Sequence, residues 1–308
     1  MNVEIAAAVA DRESALLDRI AEPAQGAVRS ALGGNRRFLA NILDGVWLSV
    51  PLHPVVTDVP IGASTTAVLL DGWATVTGDD RSDGHADAAL TVAVGGAIAA
   101  VATGLAEWRF MQGGNRRAAT LHGLINLAGL SFNVGSLWAR RAGQRRSGRA
   151  LGLAGLMVTG IAAHLGGELS YGLGVRVNPN PATAEDAGDG VASVAAADLT
   201  EGALIAVEVD GEPVVVARSS AGGVCAIAAK CSHVGGPLNE GERQGDTVIC
   251  PWHQSRFDLC TGAVIDGPAV FPQPRYVAVE HGERIEISRD KSPTPLHTPA
   301  HRDAARQR

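Results

Sequence analysis

At 308 residues the chain is long enough for two domains, and its net charge of −6 gives no basic excess that would argue for a nucleic-acid partner. It is 46% hydrophobic but only 4% aromatic, so its apolar content is mostly Ala, Val and Leu rather than large rings. Four cysteines supply no disulfide framework that would demand an oxidising compartment, and Cys225 and Cys260 are expected to be buried or free thiols.

Residues 1–50 read as amphipathic helix. Ala15, Leu16, Leu17 and Ile20, then Phe38, Leu39, Ile42 and Leu43, recur at helical spacing, with Pro23 and Gly33-Gly34 as breaks. This region is expected to pack or to lie on an interface. Its first thirty residues carry Glu4, Asp11, Glu13, Asp18 and Glu22 and show no basic stretch followed by an apolar core, so no secretory signal is visible.

From 51 to 173 the composition shifts. Val59 to Gly78, Ala88 to Ala106, Ala118 to Trp138 and Ala150 to Gly167 are nearly free of charge, and short polar loops separate them. Each run has about the 20 residues that cross a bilayer, so an all-α transmembrane four-helix bundle is expected. A soluble Ala/Gly-rich bundle is the alternative, since the mean hydropathy is only +0.10. Pro51-Leu52-His53-Pro54 through Ile61-Gly62 and Ala163-His164 through Tyr171 resemble motifs of a four-helix membrane family, domain of unknown function 2231, over roughly residues 45–176. That resemblance implies no chemistry.

In an antiparallel arrangement His53, Glu107, His122, His164 and Glu168 share one end of the bundle. Ionisable groups at membrane depth are functional candidates. Haem b on two of the three histidines, foremost His122 and His164, is one expectation; a His/Glu metal or quinone site is another, and mutual hydrogen bonding is the plain one. Asp71, deeper in the first long helix, should meet a polar neighbour. Seven arginines at one end against six at the other leave the orientation open.

Residues 174–194, with Asn178-Pro179-Asn180-Pro181, read as a linker. Strands follow: Ala203 to Val209 with Pro213 to Ala217, and Tyr276 to Glu280 with Arg284 to Ile287, have hairpin patterns, and His281 falls in an exposed turn. Residues 289–308 are expected to be a disordered tail.

Between the hairpins stand Cys231-Ser232-His233 and, after sixteen residues, Cys250-Pro251-Trp252-His253. A tetrahedral zinc site could take two thiolates and two imidazoles, yet zinc patterns pair cysteine with cysteine and histidine with histidine. Mixed pairs suit two metals, as where two Cys hold one iron of a 2Fe-2S cluster and two His the other. On this motif residues 195–288 resemble an all-β Rieske domain. The resemblance implies that Cys231 and Cys250 hold the inner iron and His233 and His253 the outer one, with Ser255, Gly235 and Pro268 around the cluster. Quinol-oxidising Rieske proteins have a further Cys in each loop and a Tyr near a ligand; here Gly236, Trp252 and Phe257 stand at those places. Fewer hydrogen bonds to sulfur imply the lower part of the Rieske range of about −150 to +300 mV, as in ferredoxin-type domains. Gln254 stands where Gly is usual.

The expectation is a multi-pass membrane electron carrier that exchanges one electron with donor and acceptor proteins or quinone, its Rieske domain cytoplasmic. A complete Rieske oxygenase would also need a mononuclear iron on two His and a carboxylate in a further large domain, for which the sequence leaves no room. The alternatives are a ferredoxin component of a multi-chain oxygenase or reductase, and a non-catalytic redox or iron sensor.

Overall fold

A computed structural model describes residues 15–79, 81–180 and 188–290. Expectations for residues 1–14 and 291–308 lie outside the described residues. In chain order the helices are α1 (Ala15–Leu32), α2 (Arg37–Asp44), α3 (Leu52–Thr77), α4 (Arg81–Trp108), α5 (Gly113–Arg141) and α6 (Arg145–Gly167). The chain divides into a helical unit, Met1–Arg36 with Leu52–Val175, and a second unit, Arg37–Pro51 with Arg176–Arg308.

In the helical unit α3 pairs with α4 and α5 with α6. The packing residues are small: Ala67, Ala93, Ala118 and Ala162 are buried, while Leu69, Trp73, Val76, Trp138 and Met157 point outward. A Cβ on Gly96 would lie 2.9 Å from Pro60 Cδ, so glycine there sets how closely α3 and α4 approach. Among the described residues, two helices are long and apolar enough to cross a membrane, Arg81–Trp108 and the run Arg145–Gly172. Four such spans were expected. α3 carries Asp58 and Asp71 along its length, and α5 carries Asn126, Ser131, Asn133 and Ser136.

Asp71 is buried, and the Arg140 guanidinium donates to both of its carboxylate oxygens. Arg140 also reaches Asp87 at 2.9 Å, Arg145 reaches Asp87 at 2.7 Å, and Arg149 reaches Asp83 at 2.7 Å. Three arginines thus balance three aspartates where α3 and α5 end and α4 and α6 begin.

Pro23 does not break α1. Gln25 of that helix donates to the carbonyls of Trp108 and Met111 at 2.8 and 2.9 Å, satisfying acceptors left over where α4 ends, and Asp18 pairs with Arg116 at 2.8 Å. These tertiary contacts outweigh the one backbone bond that proline removes.

The second unit is built on two antiparallel sheets. The larger has the order β1-β10-β9-β4-β3-β2, from β1 (Val191–Ala195), β2 (Ile205–Val209), β3 (Glu212–Arg218), β4 (Val224–Ala228), β9 (Arg275–His281) and β10 (Arg284–Arg289). The smaller runs β5 (Glu242–Gln244), β6 (Thr247–Ile249), β7 (Arg256–Asp258) and β8 (Val264–Asp266). Part of the stretch read as linker is therefore a strand, Val191–Ala195, paired with β10. His281 ends β9 rather than occupying the turn and is exposed. Alternation along β3 divides the interior: Val214 and Val216 join Ile285 and Ile287 in one core, while Val215 and Ala217 join Phe257, Cys231 and Cys250 in the other.

Candidate functional site

Two loops with the same backbone pattern carry the Cys/His pairs. In the first, Cys231 N–H donates to Gly236 O at 2.8 Å and Gly235 N–H to Cys231 O at 2.7 Å. In the second, Cys250 N–H donates to Ser255 O at 2.8 Å and Gln254 N–H to Cys250 O at 3.0 Å. Gly235 and Gln254 hold equivalent places in these turns, with φ of 80° and 64°. Gln254 therefore takes a conformation that glycine adopts freely, at a cost of about 1–2 kcal/mol for a residue with a Cβ, and the turn is kept.

Each loop begins with a buried cysteine, and backbone N–H groups converge on the sulfurs: His233 and Val234 on Cys231, Trp252 and His253 on Cys250. The Cys231 thiol donates to the Cys250 sulfur. That bond lowers the Cys250 pKa to about 6 and raises that of Cys231, so the pair titrates as a unit. The two imidazoles stand perpendicular with Nδ1 facing Nδ1 at 3.3 Å and ring centroids 4.9 Å apart. His253 is half-buried, His233 buried, and Trp252 is 56% exposed. Two soft sulfurs and two converging ring nitrogens form a donor set for iron.

Close packing fixes the loops against each other. A Cβ on Gly236 would fall 2.8 Å from Cys250 Sγ and 3.2 Å from the Trp252 ring, so the first loop has no room for a side chain there. Ser255, fully buried, accepts a hydrogen bond from Ala269 N–H at 3.0 Å and ties in a third loop, Asp266–Ala269, whose Gly267-Pro268 peptide is cis. Ser232 Oγ donates to Phe271 O at 2.6 Å.

The third loop is also gripped from outside the β-strands. Asn41 of α2 donates to Asp266 at 2.9 Å and accepts from Gly267 N–H at 3.0 Å; Arg37 pairs with Asp266 at 3.0 Å, and Arg176 donates to Pro268 O at 2.7 Å. Sequence reading passed over these residues. Their signal was polar groups at 37, 41 and 44, one face of an otherwise apolar helix.

Cys225 and Cys260 are joined as a disulfide, contrary to the expectation of free thiols. The pairing brings together cysteines 35 residues apart that no sequence spacing connects.

In the helical unit the five candidate residues do not form one set. His53 Nδ1 lies 3.0 Å from Ala100 O and 3.2 Å from Thr103 Oγ1; His122 Nδ1 lies 2.9 Å from Ala162 O, and its Nε2 is 3.1 Å from Asn126 Nδ2. These two rings are edge to face at 6.4 Å, each lying against a glycine, Gly104 and Gly166 respectively. Glu107 is buried. His164 is 66% exposed and pairs with Glu168 at 2.9 Å. Among the described residues of the helical unit no group of three or more His, Cys, Asp or Glu is placed to hold a metal ion.

Residues 190–277 match the model of the Rieske 2Fe-2S domain, and residues 49–179 that of a predicted membrane protein family, DUF2231. The chain is 30% identical over 95 residues to the ferredoxin component of the naphthalene 1,2-dioxygenase system of Pseudomonas aeruginosa, covering 31% of this chain and 90% of that protein. It is 44% identical over 63 residues to the cytochrome bc1 complex Rieske iron-sulfur subunit of Streptomyces lividans, covering 20% of this chain and 37% of the relative. Among solved structures, the ferredoxin of carbazole 1,9a-dioxygenase from Nocardioides aromaticivorans IC177 is 32% identical, covering 33% of this chain and all of that one, with a TM-score of 0.31.

Proposed function

The chain belongs to the Rieske 2Fe-2S family through residues 190–277, and on that premise we propose that it is a membrane-anchored one-electron carrier of the ferredoxin type. The observation that carries the reading is the pair of matched turns, which brings two buried sulfurs and two facing Nδ1 atoms to one place. Cys231 and Cys250 would hold one iron, His233 and His253 the other. A 2Fe-2S cluster held there supplies a reversible one-electron change.

The chain's own groups set the terms of that change. Four backbone N–H groups donate to the thiolates and favour added negative charge at sulfur. Phe257, Leu238 and Ala269 are fully buried in the same core and exclude water. His253, beside the exposed Trp252, offers the edge at which a donor or acceptor protein would meet the centre.

Two observations support anchoring in a membrane: the family matched by residues 49–179, and helices that turn Leu, Trp, Val and Met outward while packing on Ala and Gly. Four spans and a role for the His53–His122 pair toward haem or quinone belong to the same reading; the contact between those two rings favours that pair over His122 with His164. The names of the ferredoxin relatives favour service to a separate partner chain over a sensor role.

Protein extracted from membranes anaerobically should contain iron and acid-labile sulfide and show a Rieske-type electron paramagnetic signal that Cys231→Ser abolishes. Freshly prepared protein without iron and sulfide refutes the reading. A Soret band lost in His122→Ala would add a haem to it.

A further inference from the structure

Residues 37–50 belong to the β unit by their contacts and to the helical unit by their neighbours in the chain. Their polar groups are already engaged. Arg37, Asn41 and Asp44, at i, i+4 and i+7 of α2, all lie against the loop Asp266–Ala269: two by the bonds given above, the third because a Cβ on Gly267 would sit 3.0 Å from Asp44 Oδ2.

The opposite face is apolar and open. Phe38 is 77% exposed and Trp47 59%, and Leu39, Ile42 and Val50 are exposed beside them. Five large apolar side chains within thirteen consecutive residues form a patch that water does not favour. What covers it is indicated by the chain: the segment runs directly into α3, which begins at residue 52, and the membrane-family match starts at 49. Arg36 stands just before the segment, where lipid phosphates would be met, and the Trp47 indole, its N–H donating to Ile42 O at 3.2 Å, leaves its apolar body outward.

We propose that residues 37–50 are a two-faced interfacial anchor, whose outer face lies in the boundary between lipid headgroups and acyl chains while its inner face holds the third loop of the cluster site. The proposal rests on the membrane reading above. Elements of this kind bury their apolar face about 5–10 Å into the interface. The β unit is thereby fastened to the lipid surface through the loop that Ser255 ties to the centre.

The test is nitroxide accessibility in the full-length, cluster-loaded protein in phosphatidylcholine nanodiscs, labelled at Phe38→Cys, with Leu69→Cys on α3 as the reference; Trp47→Cys repeats it should Phe38→Cys not fold. Positions 38 and 47 should relax several-fold more with oxygen than with a water-soluble nickel chelate, as position 69 does. Nickel-dominated relaxation at 38 and 47 with a lipid-like 69 overturns the anchor and leaves the membrane reading standing. Low access to both reagents at 38 and 47 means that protein covers the patch, which also overturns the anchor. A water-like 69 overturns the membrane reading, and the anchor with it.

Discussion

Ser255→Ala should lower the reduction potential of the centre while leaving iron bound. The Ser255 hydroxyl is fully buried and already accepts from Ala269 N–H at 3.0 Å, so its own hydrogen is the part it can give to sulfur. A hydrogen bond to a charged group is worth about 1.5–3 kcal/mol, and the potential feels only the difference between the two charge states, taken as roughly half of that. A difference of about 0.75–1.5 kcal/mol corresponds to a downward shift of about 30–65 mV for a one-electron couple. Removing the hydroxyl also leaves Ala269 N–H without its partner, at about 1–3 kcal/mol of stability. The assay is a redox titration followed by electron paramagnetic resonance, with iron measured on the same sample. An unchanged potential at full iron content would refute the assignment of Ser255 as a donor to the centre.

Gly236→Ala places a Cβ 2.8 Å from Cys250 Sγ, so iron per chain after anaerobic preparation should fall severalfold; full loading would contradict the fit described for the two loops. Asp71→Leu leaves the buried Arg140 charge without its main partner and should cost about 3–5 kcal/mol, seen as a lower unfolding temperature in detergent, whereas Asp71→Leu with Arg140→Leu should recover much of it. Replacing Cys225 and Cys260 together by alanine opens a 35-residue loop and should destabilise the β unit by about 4 kcal/mol in the chain-entropy account, read as a lower urea midpoint by a probe on that unit.

That Cys231, His233, Cys250 and His253 would converge was legible in the sequence because they lie in two short loops, and their mixed order set the zinc and iron readings apart. The two hairpins were legible through alternation and turn residues. The Cys225–Cys260 disulfide was not, because it joins β4 to the turn after β7, and sheet order decides which distant residues meet. The grip of Asn41 on Gly267 was hidden for the same reason, 226 positions of separation carrying no local signature. Pro23 misled through propensity, which tertiary hydrogen bonds from Gln25 override. The bundle histidines were read as one set from helix direction alone. Direction fixes the end of a helix on which a residue lies but not the side it faces, and His164 faces away.

The β unit is discontinuous in the chain: it takes in residues 37–51 and resumes at 176, so no single cut isolates it. A fragment trimmed to the Rieske match at 190–277 would lack Asn41, Arg37 and Arg176, and would leave the loop 266–269 held only by Ser255 and by the pairing of Asp266 with Arg256. Characterisation of that fragment would report a looser third loop than the native one, with a potential and exchange rate of its own. A faithful soluble version would instead splice Pro51 to Arg176 through a designed linker, keeping both segments that the loop was built against.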